Sequence, residues 1–210
     1  MLDWNNLIML HGGELDNPLR DKSHGRIYRI TYKGGKPSKV LNLQNAATAE
    51  LVSNLKNENM FWRIMAQKKL VQEKRLDAIP QLIEMAQDKS LDGIRSNPAV
   101  IHALWTLQGL GQMDGSNEEA LAVAHAALKL LSAAVRKNAV RVLPATAEST
   151  KLLAGMLSER DANTLRYILL TLSVMPQDDE LGQRIYDIGQ QFKGKDALKS
   201  PHHLALIRHG

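Results

Sequence analysis

Asn97-Pro-Ala-Val-Ile-His-Ala-Leu-Trp-Thr-Leu-Gln-Gly109 is the stretch of sequence that decides the fold class. It opens with an N-cap residue followed by proline, the order typical of a helix start. Apolar side chains then recur at helical spacing, with Trp105 on the same stripe as Ile101, and glycine ends the pattern. The stretch therefore predicts a helix over 97–109, with Trp105 as an anchor in its core.

The same periodicity extends in both directions from this helix. It begins near Asn45, and Asp77 could cap a helix that carries Pro80 in its first turn. Pro144 and Pro176 each end a later helix. The other predicted helices are 46–56, 59–74, 117–131, 133–143, 148–158, 161–174 and 178–192, with the first turns of one more from Ser200.

A small residue recurs in the second helix of successive pairs. Ala66, Ala103 and Ala139 occupy similar places, 37 and 36 residues apart. A period in the thirties to forties built from helix pairs is typical of an α-solenoid, in which each pair buries one stripe against the next. We therefore predict a mainly α fold, a HEAT/armadillo-like α-α superhelix (solenoid), with a continuous core that leaves no central pocket.

The first part of the chain has a different pattern. Arg26-Ile-Tyr-Arg-Ile-Thr-Tyr-Lys33 alternates as a half-buried strand does, and Leu7–Leu10 could pair with it. This predicts a short β-hairpin-like segment, which would need further packing because two strands alone are marginally stable. The domain organisation predicted is residues 1–44 followed by a helical domain over 45–210.

Composition excludes several classes of protein. The chain has no cysteine, which removes disulfides, thiolate nucleophiles and cysteine-ligated zinc. No apolar run is long enough to span a membrane, and the first residues do not read as a signal peptide. The net charge is +5, but the cations are dispersed along the sequence, which favours an ordinary solvated surface over a polyanion partner.

Two stretches resemble a known family. Phe61-Trp-Arg-Ile-Met-Ala-Gln-Lys-Lys-Leu70 and the stretch from Pro98 are similar to HEAT repeats. More specifically, Ala49-Glu-Leu-Val52 followed by Asn59 to Leu70 resembles the HEAT region of the multidomain "membrane-bound dehydrogenase"/haem-binding proteins of planctomycetes, verrucomicrobia and Bacteroidetes. Leu2-Asp-Trp-Asn-Asn6, with Leu19 to Tyr32, looks like the last strands of that family's sorbosone-dehydrogenase-like β-propeller.

The resemblance implies a middle piece of a larger exported protein, periplasmic or secreted. In that family the order is propeller, HEAT array, then c-type cytochrome, so residues 1–44 would be a propeller end and linker. Most of the propeller and any Cys-x-x-Cys-His haem site are missing from this chain. Neither the quinone nor the haem is therefore carried over, and no cofactor is predicted.

Asp21, His24 and Arg26 form the best cluster of reactive residue types. By the resemblance they lie near the end of the last blade, where a carboxylate with a histidine could serve as a general base. A turn held by mutual pairing is the simpler interpretation, because a catalytic site needs walls. His11 with His24, and His202 with His203, lack metal-ligand spacing, so no metal site is predicted.

Arg136, Lys137, Arg141 and Arg166 fall on the second helices of successive units, which line the concave face in HEAT arrays. They could grip an acidic partner or a polyanion. The alternative, which the sequence favours, is a solvated face with ion pairs to Glu148, Glu159 and Asp161. No aromatic residues interleave with these cations in the sequence, which argues against nucleic acid.

The sequence thus predicts a non-catalytic scaffold that contacts protein, either other domains of a parent chain or a docked partner. The alternatives are part of a quinone-dependent sugar or polyol dehydrogenase site, and a basic solenoid that binds nucleic acid.

Overall fold

The computed structural model describes residues 2–3, 26–27, 30, 33–35, 39–176 and 178–191. The chain divides into two compact units, Met1–Val40 and Leu41–Gly210. In the first unit, strands β1 (Leu2–Asp3) and β2 (Arg26–Ile27) pair antiparallel, with Leu2 opposite Ile27. The predicted strand partner Leu7–Leu10 lies outside the described residues.

The second unit is mainly helical, which confirms the predicted class. A short 3-10 turn, Leu76–Ala78, precedes α3. The nine α-helices of the described residues are α1 Thr48–Asn54, α2 Met60–Gln72, α3 Ile79–Ala86, α4 Pro98–Gly109, α5 Glu118–Ala127, α6 Ala133–Val142, α7 Ala147–Ala154, α8 Ala162–Leu172 and α9 Asp179–Gln191. The turns predicted from Ser200 lie outside the part that the structure describes.

Short polar side chains set where most of these helices begin. The Asn97 side chain accepts a hydrogen bond from the backbone N–H of Val100, as predicted for α4. Asn59, Asn117, Ser132, Thr146 and Asp161 cap their helices in the same way. The prediction for α3 was half right. Pro80 lies in its first turn, but Asp77 belongs to the 3-10 turn and Ala78 stands at the N-cap without a side-chain bond.

The helices pack in two layers. The helices α2, α4, α6 and α8 contact one another in series, and we call them the even layer. In the other layer, α1 packs on α3 and α3 on α5. Each even helix also packs on the odd helix that precedes it, so α1 meets α2, α3 meets α4, α5 meets α6 and α7 meets α8.

The core lies between these layers and is mostly leucine, valine and alanine. The repeated Ala66, Ala103 and Ala139 are all fully buried, as their spacing predicted. The approach of α2 to α4 is close enough that a Cβ added to Gly109 would lie 2.7 Å from a methyl carbon of Val71.

Two predicted apolar stripes differ from the structure. Trp105 is half-buried at the edge of the core, because it lies where α4 meets α6, while Leu104 beside it is fully buried. Phe61 and Ile64 of α2 are 57% and 43% exposed. The helix α2 is first in the even layer, so among the described helices only one neighbour in its own layer, α4, packs against it.

Candidate binding surface on the even layer

A row of side-chain contacts links successive helices of the even layer. His102 of α4 donates through Nδ1 to Oε1 of Gln67 on α2, at 2.6 Å. Trp105 donates through Nε1 to Oδ1 of Asn138 on α6, at 2.8 Å. His102 and Asn138 both come one residue before a repeated alanine. The contact residues on the later helices are therefore equivalent, whereas on the earlier helices Gln67 comes one residue and Trp105 two residues after a repeated alanine.

Arg141 of α6 extends this row of contacts to α8. Its guanidinium carbon lies 4.9 Å from the ring centre of Trp105 and 4.9 Å from that of Tyr167. Both distances allow cation–π attraction, which strengthens where water is partly excluded. Arg141 is exposed, and among the described residues no hydrogen-bond acceptor pairs with its N–H groups. Aromatic rings thus hold its position while its donors stay available.

Two further cations surround the same tyrosine. Lys137 Nζ lies 6.0 Å from the Tyr167 ring centre, and the Arg166 guanidinium carbon lies 5.6 Å from it. We call Lys137, Arg141 and Arg166 the basic cluster. The prediction that no aromatic residues interleave with these cations was wrong, since Tyr167 directly follows Arg166 in the sequence and its ring contacts three cations. Trp105 and Tyr167 are far from Arg141 in sequence, and only the packing of α4, α6 and α8 brings them together.

Arg136, the fourth predicted residue, is engaged within the fold. Its Nε and Nη2 donate to the two carboxylate oxygens of Glu159 at 2.7 and 2.8 Å. Its Nη1 donates to the carbonyls of Leu130 and Leu131, each at 2.9 Å. The hydrogen bond from Arg136 lowers the pKa of Glu159, and the same bond raises that of Arg136. Arg136 therefore ties the start of α6 to the loop before α8.

The bonds from Arg136 to the two carbonyls before α6 recur two helix pairs earlier, at the start of α2, and we call this arrangement the arginine clamp. In α2, Arg63 donates through Nη1 to the carbonyls of Asn57 and Glu58, at 2.6 and 3.0 Å. These carbonyls lie six and five residues before the arginine, as those of Leu130 and Leu131 do for Arg136. Each arginine also comes four residues after its N-cap, Asn59 or Ser132. The two helix starts are thus built alike.

Charge is sorted between the layers. The four helices of the even layer contain no Asp or Glu, and their charged residues are Arg63, Lys68, Lys69, Arg136, Lys137, Arg141 and Arg166. The helices α1, α3, α5 and α7 carry one cation, Lys151, against the exposed carboxylates Glu50, Glu84, Glu118, Glu119 and Glu148. Within these eight helices, seven of the eight Lys and Arg residues therefore lie on the even layer, and two of the seven, Lys69 and Arg136, pair with Glu73 and Glu159 just outside the helices.

The carboxylates nearest the basic cluster are already used. Glu159 is 8% exposed in its side chain and pairs with Arg136. Asp161 caps α8, accepting from the backbone N–H and the hydroxyl of Thr164, each at 2.7 Å. Neither forms a hydrogen bond with Arg141. Burial alone would raise the pKa of Asp161, but the Thr164 hydrogen bonds and the positive charges of Arg136 and Lys137 outweigh it and lower that pKa, so one negative charge stays close to Lys137.

The chain matches no family model, no curated protein and no solved structure. Its function must therefore be argued from the surface chemistry. Within the described parts of the chain, no helix combines the length and apolar character needed to cross a bilayer. Among the same residues, no three His, Asp or Glu side chains converge as a metal site.

The other predicted candidates lie elsewhere. Asp21 and His24 are outside the described residues, as are His11, His202 and His203, and Arg26 is described only as backbone in β2.

Two other features of the helical unit lie apart from the even layer. His125 lies 3.8 Å from Glu148. A surface depression of about 320 Å³ separates Gly155–Ser158 from α9, and Arg184 at its edge donates to the Ala154 carbonyl at 2.8 Å.

His102 is the group in the row with the largest change in pKa. Burial lowers its pKa from 6.5 to about 4, and the positive charge of Arg63 acts in the same direction. The ring is therefore neutral near pH 7. Because the amide oxygen of Gln67 can only accept, the proton of the neutral ring lies on Nδ1.

We expect acid to destabilise the helical unit partly through His102. The unfolded chain takes up a proton at His102 as the pH falls below about 6.5, whereas the folded chain resists it until about pH 4. The stabilising effect of the neutral ring is thus complete above the unfolded pKa and lost between these values. The variant His102→Gln should lose less stability than the wild type between about pH 7.5 and about pH 5, measured by urea unfolding. Equal losses in both proteins would contradict this assignment.

Proposed function

We propose that residues 45–210 form a non-catalytic α-solenoid scaffold that binds a protein partner through the even layer. The observation that carries this proposal is the sorting of charge, which leaves four successive helices without a carboxylate. Arg63 and Arg136 make hydrogen bonds within the fold, but the apolar core contains none of these charges and so does not itself require the sorting. A surface used for recognition gives a reason for it.

Support for the solenoid comes from how the contacts repeat. Helices of the even layer meet in chain order, and at two successive junctions the later helix uses the residue before its repeated alanine, His102 or Asn138. The buried alanines recur at the predicted interval, and the arginine clamp occurs at two of the four helix starts. Stacked repeats in which each unit contacts its neighbours are the pattern of solenoid proteins, and their surfaces serve for binding.

The resemblance of the sequence suggests where such a scaffold would act. We propose that it is the HEAT-like spacer of a larger exported dehydrogenase-like protein, periplasmic or secreted, with residues 1–44 as the end of a propeller. It would hold the propeller and an electron-accepting domain at a set distance, or dock a partner. This placement rests on the resemblance alone.

Nucleic acid is a second candidate for the even layer, since it too is acidic. The basic sorting favours it, because phosphate neutralisation dominates such binding. The rings count against it, because Trp105 and Tyr167 are already packed against Arg141. Proteins that bind single strands keep aromatic faces open for the bases.

We expect the chain to show no oxidoreductase activity with sugars or polyols, with or without pyrroloquinoline quinone and calcium. A cofactor pocket normally encloses most of its ligand's surface, whereas the described helices pack continuously and present exposed faces. A dye-reduction assay and calorimetric titration of the full chain with quinone and calcium would test this. An active quinone-dependent glucose dehydrogenase is the positive control. Turnover, or micromolar cofactor binding, would overturn the scaffold proposal.

A further inference from the structure

We propose that the basic cluster anchors an acidic segment of a partner protein, with a carboxylate of that segment bound by the N–H groups of Arg141. The inference rests on the proposed function and names the chemistry of the partner. Three features carry it: the two aromatic rings that hold Arg141, the other cations near Arg141, and the cations that already lie against those rings.

The contacts of Arg141 with two aromatic rings orient its guanidinium group for a planar ligand with two oxygens, such as a carboxylate. Trp105 and Tyr167 lie on α4 and α8, on either side of α6, and both rings are 4.9 Å from the guanidinium carbon. Trp105 is itself fixed by its hydrogen bond to Asn138, which is buried. A guanidinium held in place loses less conformational freedom on binding, and its donors match the two oxygens of a carboxylate.

The charge around Arg141 favours an extended acidic segment over a single anion. Lys137 and Arg166 stand by the same tyrosine ring. Further along the layer, exposed Lys68 of α2 occupies the position equivalent to Arg141, two residues after a repeated alanine. Several carboxylates spaced along one extended peptide segment could therefore contact cations on more than one helix. Multiple charge pairs of this kind raise the association rate and the specificity of binding.

The state of the rings favours protein over nucleic acid as the source of negative charge. Tyr167 has three cations within 6.0 Å of its ring centre, and Trp105 has Arg141 against it. A base could stack on these rings only by displacing the cations that would bind its phosphate. An acidic side chain needs no ring and uses the donors that remain.

The test is fluorescence anisotropy of a labelled glutamate-rich peptide titrated with the full chain at low salt. We expect saturable binding that weakens as salt is raised. Arg141→Gln should weaken binding about tenfold or more, since removing one partner of a charged hydrogen-bonded pair costs at least that factor. Arg141→Lys keeps the charge but loses the paired donors, and should weaken binding nearly as much. Lys137→Gln should weaken it by a smaller factor.

The matched control is Lys151→Gln, an equal loss of charge at an exposed position of α7, which lies outside the even layer and packs on α8. It should change the affinity by less than about twofold, because Lys151 is not part of the basic cluster and offers no donor to a carboxylate bound there. Thermal unfolding of each variant, followed by circular dichroism, shows that a loss of binding is not a loss of fold.

Four outcomes would overturn the assignment. They are no peptide binding by the folded wild type, full affinity in Arg141→Lys, tighter binding of a single-stranded oligonucleotide than of the peptide, and salt-sensitive self-association that Arg141→Gln abolishes. The last would make the occupant a second copy of this chain. The first, second and fourth leave the scaffold proposal standing, which fails on a different measurement, dye reduction or cofactor binding. The third would instead support nucleic acid as the ligand of the even layer.

Discussion

Arg136→Met is expected to lower the free energy of unfolding by about 3 kcal/mol, the low end of the range for breaking a buried ion pair. The substitution leaves the Glu159 carboxylate, 8% exposed, without its bidentate partner. It also removes the donor to the carbonyls of Leu130 and Leu131. Removing one partner costs more than the pair is worth, because the other group stays desolvated. Urea unfolding at neutral pH would measure the loss.

Arg160→Met is the matched control for this prediction. Arg160 is adjacent to Glu159 and exposed, so the same substitution there should stay within about 0.5 kcal/mol. In the double variant Arg136→Met with Glu159→Met, part of the loss should be recovered, because no unpaired charge is left buried. A single variant as stable as the wild type would show that Arg136 is free to bind a ligand after all.

Leu104→Ala is expected to cost about 3–4 kcal/mol, within the usual range for emptying a fully buried leucine site. Leu104 is 0% exposed on α4, and this helix packs against α2, α3 and α6. Since the surrounding helices can close the space only in part, a cavity should remain. Thermal or urea unfolding followed by circular dichroism would give the value.

Leu131→Ala makes the same chemical change at a position that is 76% exposed. We expect it to change the free energy of unfolding by less than about 0.5 kcal/mol, since little surface is removed from water there to begin with. Similar effects at Leu104 and Leu131 would mean that α4 does not bury the face that the structure assigns to it.

The helical class and many helix starts could be predicted because their signals are local. Asn97 with Pro98, and Pro80 in the first turn of α3, determine backbone geometry within a few residues. The buried alanines could be predicted as well, since a repeat shows its spacing directly. Asp77 was misplaced because a 3-10 turn and an α-helical start present similar residues, and only the backbone path distinguishes them.

The candidate surface could be predicted only in part. The sequence pointed to Arg136, Lys137, Arg141 and Arg166, but it could not separate Arg136, whose donors serve the fold, from Arg141, whose donors do not. That difference depends on Glu159 and Tyr167, which packing brings from α8 and the loop before it. One signal was available: the predicted helices 97–109 and 133–143 contain no acidic residue, and 59–74 and 161–174 contain one each, Glu73 and Asp161, which the structure places at the helix ends.

The sorted charges of these eight helices contribute an electric dipole moment directed from one set of helices to the other. Cations of α2, α4, α6 and α8 stand on one side, and carboxylates of α1, α3, α5 and α7 on the other. A charged partner that approaches such a body experiences a torque before contact, so encounters begin already oriented. Raising the ionic strength shortens the distance over which this torque acts. Even with its net charge unchanged, the unit would therefore turn one particular side toward any strongly charged surface it meets.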